Sequence, residues 1–157
     1  MDELGQSITV VPMEPKHIED LERLEKECFS TPWSFDSLVS ELSNPLAVFR
    51  VAEIGGRVAG YVGMHHIVEE GYICNIAVFP QFRRLGAAAM LMEELFSYAK
   101  ENGMATISLE VRESNAAARE LYEKFQFEVA GERKNFYANP TENALIMTKT
   151  FGRLFEF

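Results

Sequence analysis

The feature that most constrains the fold is a strand–loop–helix–strand succession in the middle of the chain. Tyr72–Val78 (YICNIAV) is almost continuously apolar, which is typical of a central strand buried on both faces. After Pro80 and a short loop, Ala87–Glu101 carries apolar residues at helical spacing, and Asn102-Gly103 follows as a usual helix end. Thr106–Val111 is again strand-like. Two strands joined through a helix are parallel, so we expect a right-handed crossover within one sheet.

The other elements follow from the same spacing rules. Gly55-Gly56 between two apolar segments is a strong hairpin signal, and Ser34 can cap a short helix. Further strands are expected at Ile8–Val11, Ala47–Ile54, Arg57–Ile67, Phe127–Ala130 and Leu145–Lys149, and further helices at His17–Phe29, Ser34–Leu42 and Asn115–Phe125. The order β-αα-βββ-α-β-α-β-β predicts one α/β domain over residues 1–157, with a mixed central sheet flanked by helices.

Composition narrows the class of protein. The chain has 157 residues, of which 47% are apolar and 25% charged, as in ordinary globular domains. Its net charge of −9 lacks the cationic footprint of a DNA- or RNA-binding protein, so we expect no nucleic-acid partner. Cys28, Cys74 and the three histidines show neither disulfide nor metal-ligand spacing, so no metal is expected.

The sequence also lacks the features of a membrane protein. Its apolar runs are far shorter than the roughly 18 residues that cross a bilayer. The N-terminus, MDELGQ, is acidic where a signal peptide would be basic. We therefore expect a cytoplasmic protein with no membrane partner.

The loop QFRRLG, which precedes the helix at Ala87–Glu101, is a candidate anion site. Free N–H groups and the dipole at a helix start attract anions, and Arg83 and Arg84 add positive charge there. Gly86 allows the backbone to approach a phosphate closely. The loop is neither a GK[ST] P-loop nor a GxGxxG dinucleotide loop. Two interpretations stay open from these residues, a pyrophosphate site or a βα connection with a solvated basic turn.

The same loop carries a family resemblance. Arg83-x-x-Gly86-x-Ala88, between a strand ending in AVFP and a helix, resembles the acetyl-CoA signature of the GNAT acetyltransferase superfamily. The segments CFSTPWS, LEVRESNAAARELY and ERKNFYANPTENALIM resemble the bacterial ribosomal-protein-alanine N-acetyltransferases, so the resemblance extends from about Ile8 to Thr148. It implies a GNAT fold, acetyl-CoA as acetyl donor, and a basic protein N-terminus as acceptor, most specifically the alanine of the eighteenth protein of the small ribosomal subunit.

The resemblance also implies a set of donor-binding residues. The CoA pyrophosphate is expected on the loop and the helix start, formed by Arg83, Arg84, Leu85, Gly86, Ala87, Ala88 and Ala89. Backbone groups of Ile76, Ala77 and Val78 are expected to bind the pantetheine arm and the acetyl carbonyl, where an N–H acts as an oxyanion donor. Asn115 is expected to contact the cofactor. Ala88 departs from the commoner last glycine of the signature.

Two residues are candidates for the proton transfers. Glu110 lies in the apolar run ISLEV, where a carboxylate either faces a cleft as a general base or lies on a solvated face at a sheet edge. Tyr122 lies on a helix, and its spacing alone favours a core residue. The resemblance implies that Glu110 accepts the amine proton through water and that Tyr122 protonates the CoA thiolate.

Candidates for the acceptor site are fewer. Trp33 by itself is more typical of a packing residue, but in the resembling family its loop shapes the acceptor groove. Tyr137 is a second candidate for the groove, and a core role for its neighbour Phe136 stays open. Phe136 and Asn143 depart from the family pattern. The acidic run Glu19–Glu27 is typical of a solvated helix face, and attraction of a basic peptide is the alternative interpretation. Two alternative functions also stay open: acetylation of a small amine (a polyamine, an aminoglycoside or an amino acid), and acyl-CoA binding without catalysis.

Overall fold

The computed structural model describes residues 7–151 and contains seven strands and four α-helices within that range. The strands are β1 (Ile8–Pro12), β2 (Ala47–Ile54), β3 (Arg57–Ile67), β4 (Glu70–Val78), β5 (Thr106–Arg112), β6 (Glu128–Tyr137) and β7 (Glu142–Thr150). The helices are α1 (Ile18–Cys28), α2 (Phe35–Glu41), α3 (Ala87–Glu101) and α4 (Ala116–Lys124). This order confirms the predicted succession of elements.

The strands form one seven-stranded sheet in the order β1-β2-β3-β4-β5-β7-β6. The β4–β5 pair is parallel, whereas β1–β2, β2–β3, β5–β7 and β6–β7 are antiparallel. The sheet is therefore mixed, and the predicted α/β class is confirmed. At the turn between β2 and β3, Gly55 and Gly56 have φ values of +58° and +79°, the left-handed conformation that a tight hairpin turn requires.

The described chain divides into two compact units. The first contains the residues through His65 and Cys74–Tyr98, and its core includes Leu21, Leu24, Val51, Leu91 and Leu95. The second contains His66–Ile73 and the residues from Ala99 onward, and its core includes Ile107, Leu109, Phe127 and Met147. The expectation of one domain over residues 1–157 stays a prediction.

Helical and strand periodicity explain how each unit buries its apolar residues. Ile18, Leu21 and Leu24 recur along one side of α1, and all three are at most 2% exposed. In β5 the buried and half-buried residues alternate, as expected for a strand with one face on the core. Within residues 7–151, no helix is long and apolar enough to cross a membrane.

Two sequence-based expectations about strands are wrong. β4 is central in the strand order but is not buried on both faces, because Tyr72 is 39% exposed and Cys74–Ile76 are half-buried. β6 extends to Tyr137 instead of ending at Ala130. Its residues are mostly exposed, so the polar segment GERKNFY has no apolar alternation that would mark it as a strand.

Gly60 in β3 allows close approach to the end of β4. A Cβ atom at Gly60 would lie 2.5 Å from the carbonyl oxygen of Ala77 and 3.0 Å from the Cα of Val78, which are both backbone atoms. Backbone atoms of a paired strand cannot move aside as the end of a side chain can. Glycine is therefore the residue that fits here without displacing β4.

We predict that Gly60→Ala lowers the free energy of unfolding by about 1–3 kcal/mol, the usual cost of overpacking a core. Urea denaturation measures the change. The matched control is Gly131→Ala in β6, where the new Cβ would make an ordinary 3.5 Å contact with Ile146. Equal stability of Gly60→Ala and wild type would contradict the close approach.

Candidate active site

The start of α3 has the geometry of an anion site in the first unit. The carbonyl of Gly86 accepts the first helical hydrogen bond, from Met90 N at 3.0 Å, so the N–H groups of Ala87–Ala89 have no helical carbonyl as partner. Gly86 has φ +94°, and a Cβ there would meet no atom within 4 Å. Glycine is needed at this position for its backbone conformation, and the space in front of it is open.

The two arginines of the loop have different environments. The Arg83 Nε donates to the Val78 carbonyl at 3.1 Å, and its Nη2 lies 3.5 Å from the Cys28 Sγ. This side chain therefore braces the end of β4 against α1. Arg84 is exposed, has φ +66°, and makes no salt bridge within the described residues. Arg84 is thus the cation of the pair that stays available to an anion.

The C-terminal half of β4 carries Ile76, Ala77 and Val78. The pairing of β4 with β5 covers only Glu70–Tyr72, so the register of that pair ends before Ile76. In the described chain, the later backbone groups of β4 have no β5 partner on that edge. The Val78 carbonyl already accepts a hydrogen bond from Arg83, so the groups of this segment that remain for an extended ligand are its other backbone groups on that edge.

A buried carboxylate that the sequence interpretation missed lies behind this strand. Glu25 is 0% exposed, although it falls in the acidic run expected to be a solvated face. Its carboxylate accepts hydrogen bonds from the backbone of Trp33 (2.8 Å), the Tyr61 hydroxyl (2.6 Å) and the Asn75 side chain (2.7 Å). Burial raises the pKa of Glu25, and these three hydrogen bonds oppose that rise. The rest of the run does contain exposed residues such as Glu19 and Glu27.

In the second unit, the Glu110 side chain is only 5% exposed, so the interpretation as a solvated edge residue is wrong. Its Oε1 accepts the Tyr72 hydroxyl, and its Oε2 lies 2.5 Å from the Arg133 Nε. A carboxylate offers about four lone-pair positions, so these two contacts do not use its whole acceptor capacity. Tyr72 and Arg133 were not identified from the sequence, because each is polar and lies on a strand with no motif around it.

Tyr122 of α4 is 8% exposed, and its ring lies 5.8 Å from that of Phe127. Burial raises the pKa of its hydroxyl to about 12. Within residues 7–151 that hydroxyl makes no hydrogen bond, which is unusual for a buried polar group. The tyrosine is therefore both packed in the core and protonated at neutral pH.

Asn115 is the N-cap of α4. Its Oδ1 accepts a hydrogen bond from the Ala118 N–H at 3.1 Å, which satisfies one of the free donors of the helix start. The side chain is exposed. Its amide nitrogen remains as the group with which it could contact a ligand.

Tyr137 ends β6 and is held by Arg112, whose guanidinium lies 4.5 Å from the ring centroid. Arg112 also donates to the carbonyls of Ala138 (3.0 Å) and Pro140 (2.9 Å), which fixes the turn between β6 and β7. Phe136 is 47% exposed, so a core role for it is wrong. Desolvation, with the negative charge of Glu110, raises the pKa of Tyr137 to about 12.

Asn143, which departs from the family pattern, has a structural role in the β6–β7 hairpin. Its Oδ1 accepts the Asn135 N–H and its Nδ2 donates to Glu132, both at 2.9 Å.

Residues 7–151 contain no group of three or more histidine, cysteine, aspartate or glutamate side chains that could hold a metal ion.

Comparison with known proteins gives a consistent family match. Residues 18–127 match the model of the acetyltransferase (GNAT) family. The chain is 35% identical to the ribosomal protein bS18-alanine N-acetyltransferase of Haemophilus influenzae over 134 residues, covering 82% of this chain and 90% of that protein. It is 32% identical over 141 residues to the Escherichia coli protein of the same name, covering 88% and 95%.

A solved structure agrees with the sequence comparison. The crystal structure of the Escherichia coli ribosomal-protein-S18-alanine N-acetyltransferase is similar with a TM-score of 0.85 and 29% identity. The superposition covers 96% of this chain and 100% of that one.

We predict that Tyr122 ionises well above the ordinary phenol pKa of about 10. Absorbance titration of wild type minus Tyr122→Phe should show one phenolate appearing near pH 12. Because the native state holds this proton longer than the unfolded state, stability is lost as the pH rises from 10 to 12, and Tyr122→Phe loses less. A difference titration centred at pH 10 would contradict the burial of the hydroxyl.

Proposed function

The chain belongs to the acetyltransferase (GNAT) family, and from that premise we propose that it transfers the acetyl group of acetyl-CoA to the N-terminal amine of a protein. The proposed acceptor is the N-terminal alanine of ribosomal protein bS18. One observation supports this acceptor. Relatives that are 32–35% identical, aligned over more than four fifths of this chain, have that activity in their names. The proposed location is accordingly the cytoplasm.

The start of α3 supports the proposed donor site. Three features suit a pyrophosphate: the N–H groups of Ala87–Ala89, which have no helical carbonyl partner, the open space at Gly86, and the exposed Arg84, which makes no salt bridge within residues 7–151. We assign the phosphate contacts to Arg83–Ala89, the contacts to the pantetheine arm to the backbone of Ile76–Val78, and a further contact to Asn115. Acetyl-CoA supplies an activated thioester, and an N–H of β4 would stabilise negative charge on its carbonyl oxygen.

We assign the proton transfers to Glu110 and Tyr122. Glu110 accepts the amine proton through a water molecule as the new C–N bond forms. The contact between its Oε2 and the Arg133 Nε keeps the carboxylate oriented. As the C–S bond breaks, Tyr122 donates its proton to the departing sulfur. A hydroxyl that is protonated at neutral pH and has no hydrogen-bond partner among the described residues suits that role.

We assign acceptor binding to Trp33 and Tyr137. Both are half-buried aromatic residues. Glu25 fixes the backbone of Trp33 by a hydrogen bond, and the Arg112 guanidinium fixes the ring of Tyr137. A free α-amine has a pKa of about 7.7–8.0 against about 10.4 for lysine, so an N-terminal acceptor asks less of the base. The net charge of −9 favours encounter with a basic protein.

We predict that Gly86→Asp abolishes acetyl-CoA binding in calorimetry, because a side chain and a negative charge enter the proposed phosphate site. Gly103→Asp is the matched control. Gly103 also has positive φ (+65°) and open space at its Cβ, but it follows the C-terminal end of α3. Retained binding in a folded Gly86→Asp protein would move the donor site elsewhere.

We predict that Glu110→Gln lowers kcat about 10²- to 10⁴-fold, the usual contribution of a positioned general base. Glutamine keeps the volume of the side chain and removes the carboxylate. The acetyl-CoA KM should stay near its wild-type value. Glu113→Gln, which changes an exposed glutamate, is the control. Turnover within about twofold of wild type would make Glu110 a structural residue.

The acceptor is tested by comparing three amines in a thiol-release assay at low and high salt. We predict turnover with a basic peptide that begins with alanine, and none with the same peptide blocked at its N-terminus or with spermidine. High salt should raise the KM of the basic peptide because charge screening weakens long-range attraction. Turnover of spermidine would favour a small-amine enzyme, and binding of acetyl-CoA with no turnover of any amine would favour a binding module.

A further inference from the structure

Glu25 of α1 joins three segments of the first unit that are distant in sequence. Its Oε1 accepts the N–H of Trp33, in the loop between α1 and α2, at 2.8 Å. Its Oε2 accepts the hydroxyl of Tyr61 in β3 at 2.6 Å and the side-chain amide of Asn75 in β4 at 2.7 Å. The loop of Trp33 is thus tied through one carboxylate to two central strands.

This carboxylate is not explained by stability alone. Glu25 is fully buried, and its three partners are neutral donors without a cation among them. Burial disfavours the ionised form by more than the three hydrogen bonds favour it, since the pKa of Glu25 is raised. A buried group of this kind is better explained by the geometry that it fixes than by the stability that it adds.

We propose that Glu25 is a positioning residue for the acceptor peptide. Its carboxylate holds the Trp33 backbone at a fixed place relative to β4. Asn75 immediately precedes Ile76–Val78, the backbone segment assigned to the acetyl donor. The Trp33 ring is held separately, 6.0 Å from the ring of Phe49. Glu25 itself touches no substrate, because it is fully buried. The inference rests on the proposed function, in which Trp33 contributes to the acceptor site.

Three substitutions separate positioning from a general structural role. Glu25→Met keeps an unbranched side chain of similar length but removes both acceptor oxygens, so the Trp33 N–H loses its partner. Glu25→Gln keeps one acceptor oxygen for that N–H and should act as the rescuing variant. Tyr61→Phe removes another buried hydrogen bond from the same carboxylate but leaves the bond to Trp33 intact. It is therefore the matched control for loss of stability.

Kinetics with the alanine-starting peptide provide the first readout. We expect Glu25→Met to raise the peptide KM about tenfold or more, the scale on which small losses of positioning act, with kcat and the acetyl-CoA KM nearly unchanged. Glu25→Gln and Tyr61→Phe should keep a peptide KM near that of wild type. An unchanged peptide KM in Glu25→Met, or an equal rise in Glu25→Met and Tyr61→Phe, would overturn the proposal.

The fluorescence of Trp33, the single tryptophan of the chain, provides a readout that is independent of turnover. Its emission should shift to longer wavelength in Glu25→Met, where the loop opens to water, and stay at the wild-type position in Glu25→Gln and Tyr61→Phe. Emission that is unchanged in Glu25→Met would overturn the proposal. If wild type acetylates no peptide, the proposed function fails, and this measurement still decides whether Glu25 anchors the loop.

Amide exchange covers the case in which Glu25→Met does not fold. In the wild-type protein, the Trp33 amide should exchange with solvent far more slowly than the amides of its exposed neighbours Thr31 and Ser34. Its NMR signal should shift on addition of peptide. Rapid exchange of the Trp33 amide, or a signal that the peptide leaves unchanged, would overturn the proposal.

Discussion

The parallel pairing of β4 with β5 extends over only three residues of each strand, and the proposed chemistry depends on this early end of the pairing. A strand that stayed paired along its full length would have no backbone groups left for a ligand. The β5 register stops at Tyr72, and the segment proposed to bind the substrate arm, Ile76–Val78, lies beyond that point of β4. On the β3 side, Gly60 allows β4 to lie close, since a Cβ there would collide with the β4 backbone.

Within residues 7–151, Glu25 and Glu110 are two glutamates whose side chains are shielded from solvent in opposite environments. Glu110 faces a guanidinium, that of Arg133, together with the Tyr72 hydroxyl, so its ionised form is paired with an opposite charge. Glu25 has neutral donors alone, and burial dominates its pKa. A paired carboxylate with free lone-pair positions suits proton transfer, whereas a fully enclosed one with three fixed donors suits the positioning of backbone. Their environments thus support different proposed roles for the same type of side chain.

Strong local patterns in the sequence predicted most of the fold. The apolar run of β4, the Gly55-Gly56 turn and the amphipathic spacing of α3 each depend on nearby residues, and β2, β3 and α3 have the predicted bounds. β6 was predicted too short because an exposed strand has no apolar alternation to reveal it. Glu25 was misread because its helix is otherwise acidic and exposed, and its three partners lie 8, 36 and 50 residues away in sequence. Contacts of that range leave no local signal.

Mass-spectrometric fragmentation of a full-length bS18 protein, after incubation with the enzyme and acetyl-CoA, tests the central claim most directly. The mass gain of one acetyl group can be located on the α-amine of the first residue or on a lysine side chain. The proposed function predicts one acetyl group, on the N-terminal alanine, and none when Glu110 is replaced by glutamine under limiting enzyme. Acetyl groups on lysine side chains with a free N-terminus, or no acetylation of the protein at all, would contradict it.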